Sequence, residues 1–282
     1  MFSIIIPSWN NLSYLTLCIE SILKNSSQPH QIIVHVNEGS DGTIEYLKMR
    51  GIEYTRSGRN IGICYAVNEA GRLIRGNYVV YMNDDMYVLP GWDEALLAVI
   101  ATLPNDNFML SATMIEPNDT GNPCVVHQHF GTDAATFDEE TLLANYMQQA
   151  KADWYGSAWP PTLVSSRMWT LVGGYSIEFS PGLSSDDDFA RKMWEAGCRE
   201  FRGVGTSRVY HFQSKSLHKI KRNNGRKQFL HKWGINQSTF NNHYLKRGQP
   251  YEGPLPEPDA NILSRERLRA RWKMVWQNLG GK

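Results

Sequence analysis

Three short, mostly apolar runs, Phe2–Ile6, Ile32–Val36 and Tyr78–Met82, alternate with stretches whose apolar residues recur at helical spacing. After the first run, Leu12, Leu15, Ile19, Ile22 and Leu23 share one face of a helix expected over 11–24. A second helix is predicted from a cap at Ser40 or Asp41 to about Arg50, stopped by Gly51, and a third over 62–74. Strand and helix in this order imply a largely parallel central sheet with helices on both faces. In such sheets ligands bind beyond the carboxyl ends of the strands. Those ends are Pro7–Asn10, Asn37–Gly39 and Asn83–Asp85, so these residues should gather on one rim.

The pattern continues with a helix over 91–103 capped in the Trp92–Asp93 region, a strand over 108–115 and a loop-like stretch over 119–138. A short helix over 165–172 precedes Gly173–Gly174. A helix over 184–196 has Ser184 or Ser185 at its cap and Gly197 as its stop, and a late strand covers 209–212. Beyond Phe212 the character changes. Pro250, Pro254, Pro256 and Pro258 mark a linker near 250–258, and an Arg-rich helix over 264–279 carries Trp272 and Trp276 on one face. A chain of 282 residues allows one domain plus an appendage. The division expected is a catalytic domain over 1–213 and a basic, mostly helical extension over 214–282.

Net charge is +1, which names no partner. Locally, residues 201–251 hold eleven Lys and Arg and no Asp or Glu. That block is either a solvated surface or a face for an anion. Its aromatic interleaving is too thin to favour nucleic acid. Four cysteines, none in C-x-x-C spacing, argue against a zinc cluster or a disulfide scaffold and for free thiols in a reducing compartment. The N-terminus lacks the pattern of a secretory signal, and no apolar run reaches the ~18 residues of a membrane span. A soluble, cytoplasmic protein is expected.

The turn after the first run, PSWNN, carries no G-x-G-x-x-G, and no P-loop occurs anywhere in the chain. The Gly-rich turn of nucleotidyltransferases is missing too. Backbone groups of Pro7 and Ser8, with Asn10, remain to meet a nucleotide. At Asn83-Asp84-Asp85 two adjacent carboxylates repel unless a cation offsets them. Such a pair at a strand end suits Mg²⁺ or Mn²⁺, with substrate phosphates completing the shell; turn chemistry is the competing account. Asp186, Asp187 and Asp188 open a helix. Capping and the helix dipole explain one or two of them. A further carboxylate is then available as a general base. His211, in an apolar strand, is either structural or an imidazole ligand for an ion such as Mn²⁺.

Taken in order, SIIIPSWNN, VNEGSDGT, RNIGICYAVNEA, YMNDDM, the VGGY turn at 172–175 and SDDDFARKMWEAG resemble the family-2 glycosyltransferases of the GT-A fold, over about residues 2–212. The resemblance implies a metal-dependent, inverting transfer from a nucleotide-diphosphate sugar to a hydroxyl acceptor, in polysaccharide or glycan synthesis. It implies that Asp85 binds the metal and Asp84 the ribose side, with Asn83 standing where an acid is often found. Glu38 or Asn37 would approach the base, Arg59 and Asn60 would line the nucleotide pocket, and His211 would complete the metal shell. Asp186 aligns with the catalytic base, although Ser185 replaces the usual Glu and leaves Asp187 or Asp188 as alternatives. The acceptor, glycan, lipid-linked or protein-linked, would meet the aromatic segment from Trp154 to Pro161, above all Trp159, with Asp187 beside it. Lys215 and Lys219 would cover the diphosphate as a lid. The alternatives are a non-catalytic sugar-nucleotide or glycan-binding module on the same fold, and a nucleotidyltransferase. The C-terminal helix suits peripheral contact with an anionic membrane, or packing on the catalytic domain or on a second copy in a homodimer.

Overall fold

The computed structural model describes residues 1–156, 159–214 and 223–278. The first part of the chain forms β1 (Phe2–Trp9), α1 (Leu12–Asn25), β2 (Gln31–Asn37), α2 (Thr43–Arg50), β3 (Glu53–Ser57), α3 (Ile63–Gly71), β4 (Tyr78–Tyr81) and β5 (Met86–Val88). There follow α4 (Trp92–Thr102), β6 (Phe108–Glu116), β7 (Val126–His127), α5 (Glu139–Asn145), β8 (Trp154–Tyr155) and β9 (Thr162–Ser165). Then come α6 (Ser166–Val172), α7 (Ser185–Glu195) and β10 (Glu200–His211). The C-terminal part holds α8 (Gly225–Trp233), α9 (Gln237–Thr239) running into a π turn at Phe240–Tyr244, and α10 (Ala260–Asn278).

All strands join one sheet in the order β3-β2-β1-β4-β9-β6-β10-β5, with β7 beside β6 and β8 beside β10. Strands β3, β2, β1 and β4 are mutually parallel, as are β6, β7 and β10. Strand β9 enters antiparallel between β4 and β6, and β5 and β8 run against β10. The sheet is therefore mostly parallel and flanked by helices, and β1, β2, β4 and β10 end on one rim.

The apolar runs are explained by burial on both faces. Side chains alternate across a strand. Phe2, Ile4 and Ile6 of β1 pack with Val34, Val36, Val80 and the α1 residues Leu15 and Ile19. Ile5 points the other way, into a core with Ile33, Val79, Tyr81, Phe189 and Met193. Phe229, Phe240, Tyr244, Leu255 and Leu263 from the C-terminal part belong to that second core. Truncating one of these aliphatic side chains to Ala costs about 2–5 kcal/mol by the usual cavity penalty.

Differences from the expected elements have local causes. Strand β1 runs on through Pro7 because β4 pairs with it only as far as Ile5, so a proline beyond that point forfeits no bond to β4. Strand β3, Glu-Tyr-Thr-Arg-Ser, lies at the sheet edge and is only partly buried. The late strand expected at 209–212 is twelve residues long and starts at Glu200. Its first half contains Gly203 and Gly205, where a Cβ would run into the Trp154 ring and the Lys151 carbonyl. A bulge between Val204 and Arg208 resets the register with β6. Asp93 does not cap α4. It is fully buried and accepts from the Ser27 backbone N–H, with His30 Nε2 at 3.0 Å.

Candidate functional site

The turn between β4 and β5 sets the first half of the site. Met82 donates its N–H to the Ile5 carbonyl, after which the chain turns through Asn83, Asp84 and Asp85 and pairs β5 back along the end of β10. That register brings Asp85 beside His211. Asp85 is 5% exposed, and its Oδ2 accepts the Ser214 N–H at 2.8 Å. The His211 Nε2 lies 3.5 Å from the same oxygen. His211 Nδ1 is 2.8 Å from Glu116 Oε1 on β6. A carboxylate only accepts, so Nδ1 carries the proton and Nε2 is aimed at Asp85.

These groups shape one another's charge. Burial opposes protonation of His211, but the Asp85 and Glu116 carboxylates outweigh it and lift its pKa to about 10. Burial also pushes Asp85 up, and the His211 charge with the His211 and Ser214 hydrogen bonds reverses this and holds it below the ordinary value. Asp84 is pushed up to about 7, first by burial and then by the Asp85 charge. The Ser8 and Asn11 side chains sit near enough to offset part of this, although Ser8 Oγ and Asn11 Nδ2 form no well-aligned hydrogen bond. Trp9 Nε1 is likewise buried and unpartnered.

Asp84, Asp85 and His211 open into a cleft of about 360 Å³, bordered by Pro7, Ser8, Trp9 and Asn11 from β1 and its turn. Asn37, Asn60, Gly62 and Ile63 form the far side, and Gln213 and Ser214 close it beyond β10. The far side is fixed by Asn37, whose Oδ1 accepts from Ile61 N–H at 2.9 Å and Ser57 Oγ at 3.1 Å. Gly62 has φ +79°, and a Cβ there would strike Ser180 and Pro181, so the chain passes at this spot only as glycine.

A second chamber of about 300 Å³ adjoins the first and shares Asn83, His211 and Gln213 with it. Its other walls include Asp186, Trp159, Met86, Met114 and Asn122. Asp186 lies in the first turn of α7, whose N-cap Ser184 sits at φ +67°. Its Oδ1 accepts from the Tyr175 hydroxyl at 3.0 Å. Burial and the Asp187 charge raise its pKa to about 7, against the Tyr175 hydrogen bond and the Arg247 charge.

The three adjacent aspartates thus differ. Asp187, expected beside the acceptor, is 2% exposed and bound by Arg247 and Gln237. Asp188 is fully buried and accepts from Trp233 Nε1 at 2.8 Å, with Lys232 Nζ at 2.9 Å. Neither borders the chamber. Asn10 and Glu38, expected around the nucleotide, do not border the cleft; both have positive φ, and Asn10 Nδ2 donates to Glu38 Oε2 at 3.0 Å. Asn10 Oδ1 is occupied by the N–H groups of Gly39 and Ser40. Arg59 is exposed and also outside the cleft lining, while Asn60 borders it. Trp154 is buried against Gly203 and donates to Thr113 Oγ1, whereas Trp159 is partly open. Lys215 and Lys219 lie outside the described residues. Sequence alone did not single out Glu116, Trp9, Asn11 or Gln213.

Asp85 and His211 suit a divalent ion that displaces the proton from His211 Nε2 on binding. Among the described residues no three His, Cys, Asp or Glu side chains are placed to enclose one. Two protein ligands, with the Glu116 carboxylate behind His211, fit an ion that completes its shell with water and ligand phosphates.

Residues 3–152 match the sequence profile of "Glycosyl transferase family 2". The chain is 25% identical over 195 residues to an uncharacterized glycosyltransferase of Haemophilus influenzae, covering 68% of this chain and 62% of that protein. It is 24% identical over 240 residues to a chondroitin synthase of Escherichia coli, covering 78% of this chain and 30% of the synthase. The chain thus spans less than two thirds of either relative. Among solved structures, S. aureus TarS 1-349 superposes with a TM-score of 0.56 at 17% identity, over 74% of this chain and 60% of that one. The same TarS fragment in complex with UDP-GlcNAc superposes at 0.60 and 16% identity, over 82% and 63%.

Proposed function

The chain belongs to glycosyl transferase family 2, and from that premise we propose that it moves a sugar from a nucleotide-diphosphate donor to a hydroxyl acceptor, with inversion at the anomeric carbon. The observation that supports this is the shared wall. Asn83, His211 and Gln213 border both the cleft holding Asp84 and Asp85 and the chamber holding Asp186. A donor in one and an acceptor in the other would meet across that wall.

In this proposal Pro7, Ser8, Asn37 and Asn60 hold the nucleoside, and Asp84 meets the ribose side. Asp85 and His211 hold Mn²⁺ or Mg²⁺, which offsets charge on the departing diphosphate. Asp186 takes the proton of the acceptor hydroxyl, which then attacks from the face opposite the leaving group. With its pKa at about 7, Asp186 is poised to exchange a proton near neutral pH. Trp159 packs against the acceptor. The aromatic wall and the similarity to chondroitin synthase favour a saccharide acceptor, as in polysaccharide synthesis. TarS in complex with UDP-GlcNAc makes uridine donors the first to test.

Among the described residues no helix is long and apolar enough to cross a membrane. Helix α10 buries Leu263 and Ala270 and exposes Leu268, Trp272, Val275 and Trp276, with Arg265 and Arg269 also exposed. At 100° per residue the exposed apolar residues fall opposite the buried ones, so this face is proposed to rest on an anionic membrane surface.

The deciding experiment is a hydrolysis screen of sugar nucleotides with Mn²⁺ or Mg²⁺. One donor consumed only with metal, and spared by Asp85→Ala, is the expected result. Metal-independent turnover, or turnover unaffected in that variant, would reject the assignment.

A further inference from the structure

Arg247, from the segment after the π turn, reaches the acceptor chamber from behind. Its Nη2 pairs with Asp187 Oδ1, and Gln237 Nε2 takes the other oxygen of that carboxylate. Both oxygens of Asp187 are thus held by the C-terminal part of the chain. The Arg247 guanidinium carbon also lies 4.3 Å from the centroid of the Trp159 ring. Trp159 borders the chamber and Arg247 does not, so the cation backs the ring without occupying the chamber. The segment is pinned where it stands. Gly248 donates its N–H to the Tyr155 carbonyl at 3.0 Å, and Tyr155 donates to Gln249 at 2.9 Å. At Gly156 a Cβ would sit 2.8 Å from Arg247 Cα, so this close approach depends on glycine.

We propose that Arg247 is a positioning residue that locks the Asp186-bearing turn of α7 and the Trp159 wall into one frame, so that base and acceptor surface keep a fixed relation. This rests on the function proposed above for Asp186 and Trp159. A guanidinium suits the task where an ammonium would not, because its flat fork pairs with a carboxylate and stacks on an aromatic face at once. It also makes the C-terminal segment part of the site, since removing it would release Asp187 and Trp159 together. Among the described residues, the groups coupled to Asp186 are Asp187 on α7, Tyr175 after α6, Tyr81 on β4, Cys64 on α3 and Arg247 itself, while Glu116 and His211 border the same chamber. Of the coupled groups, Arg247 is the cation.

The test compares wild type with Arg247→Gln and Arg247→Lys in the full chain. Hydrogen exchange is read over 185–189 and 154–156, binding of UDP with Mn²⁺ by calorimetry, and UDP-GlcNAc hydrolysis against pH. Arg247→Gln is expected to speed exchange in both segments at least fivefold and to leave UDP binding within about twofold. It should lower hydrolysis about tenfold and move its acid limb to higher pH. Arg247→Lys should keep the limb in place, because the charge remains, while losing part of the rate. Unchanged exchange in either segment would overturn the proposal. So would faster exchange with unaltered hydrolysis, or hydrolysis and UDP binding falling by the same factor. If Arg247→Gln does not fold, Arg247→Lys is judged on the same readouts. If wild type hydrolyses no donor, the functional reading fails, and the exchange result alone decides whether Arg247 braces the two segments.

Discussion

Tyr175 donates its hydroxyl proton to Asp186 Oδ1 at 3.0 Å, while its ring stacks on Phe189 with centroids 4.9 Å apart. The hydrogen bond favours the ionised carboxylate, against burial and the Asp187 charge, which together lift the Asp186 pKa to about 7. A base must be deprotonated to act, so turnover should rise with pH through about 7. Tyr175→Phe keeps the stacked ring and deletes the bond that stabilises the anion. The acid limb should therefore move upward, and a shift of one unit would lower turnover at pH 7 about fivefold. Profiles of donor hydrolysis for both proteins decide this; coincident acid limbs would remove Asp186 from the role of base.

Glu116 holds His211 Nδ1 at 2.8 Å and so directs Nε2 toward Asp85. Partners of this kind typically contribute 10–100-fold to metal affinity. Glu116→Gln should weaken Mn²⁺ binding in the presence of UDP by about that factor, read by calorimetry. An unchanged dissociation constant would leave His211 with a purely structural role.

The outward face of α10 predicts binding to vesicles that contain anionic lipid, weakened by salt because exposed Arg265 and Arg269 share that face. Trp272→Ala with Trp276→Ala should lower co-sedimentation at least fivefold. Sedimentation unchanged in that variant would reject membrane contact, and a concentration-dependent dimer lost in the variant would assign the face to a second copy.

Much of the rim was legible because β1, β2 and β4 are buried on both faces and show it as mostly apolar runs. The strand ends then located Asp84, Asp85 and Asn37 without further help. Strand β10 was mostly hidden, since Gly203 and Gly205 serve close approach to Trp154 and Lys151 and dilute the strand pattern. Strand β9 is four residues long and follows two prolines. In the site, the Asp186–Asp188 cluster was legible from its place at a helix start, and the family resemblance alone singled out Asp186. Its division of labour with Asp187 and Asp188 was not, because that depends on Arg247, Gln237 and Trp233, 45 to 60 positions away in sequence. Glu116 was equally invisible, since its partner His211 is 95 positions distant.

A crystal of this protein soaked with Mn²⁺ and UDP tests the central claim most directly. The account predicts an ion bound by Asp85 and His211 Nε2, with the diphosphate on the ion and the nucleoside between Pro7–Ser8 and Asn37–Asn60. An ion bound away from Asp85, or a cleft without nucleotide at saturating UDP, would contradict it.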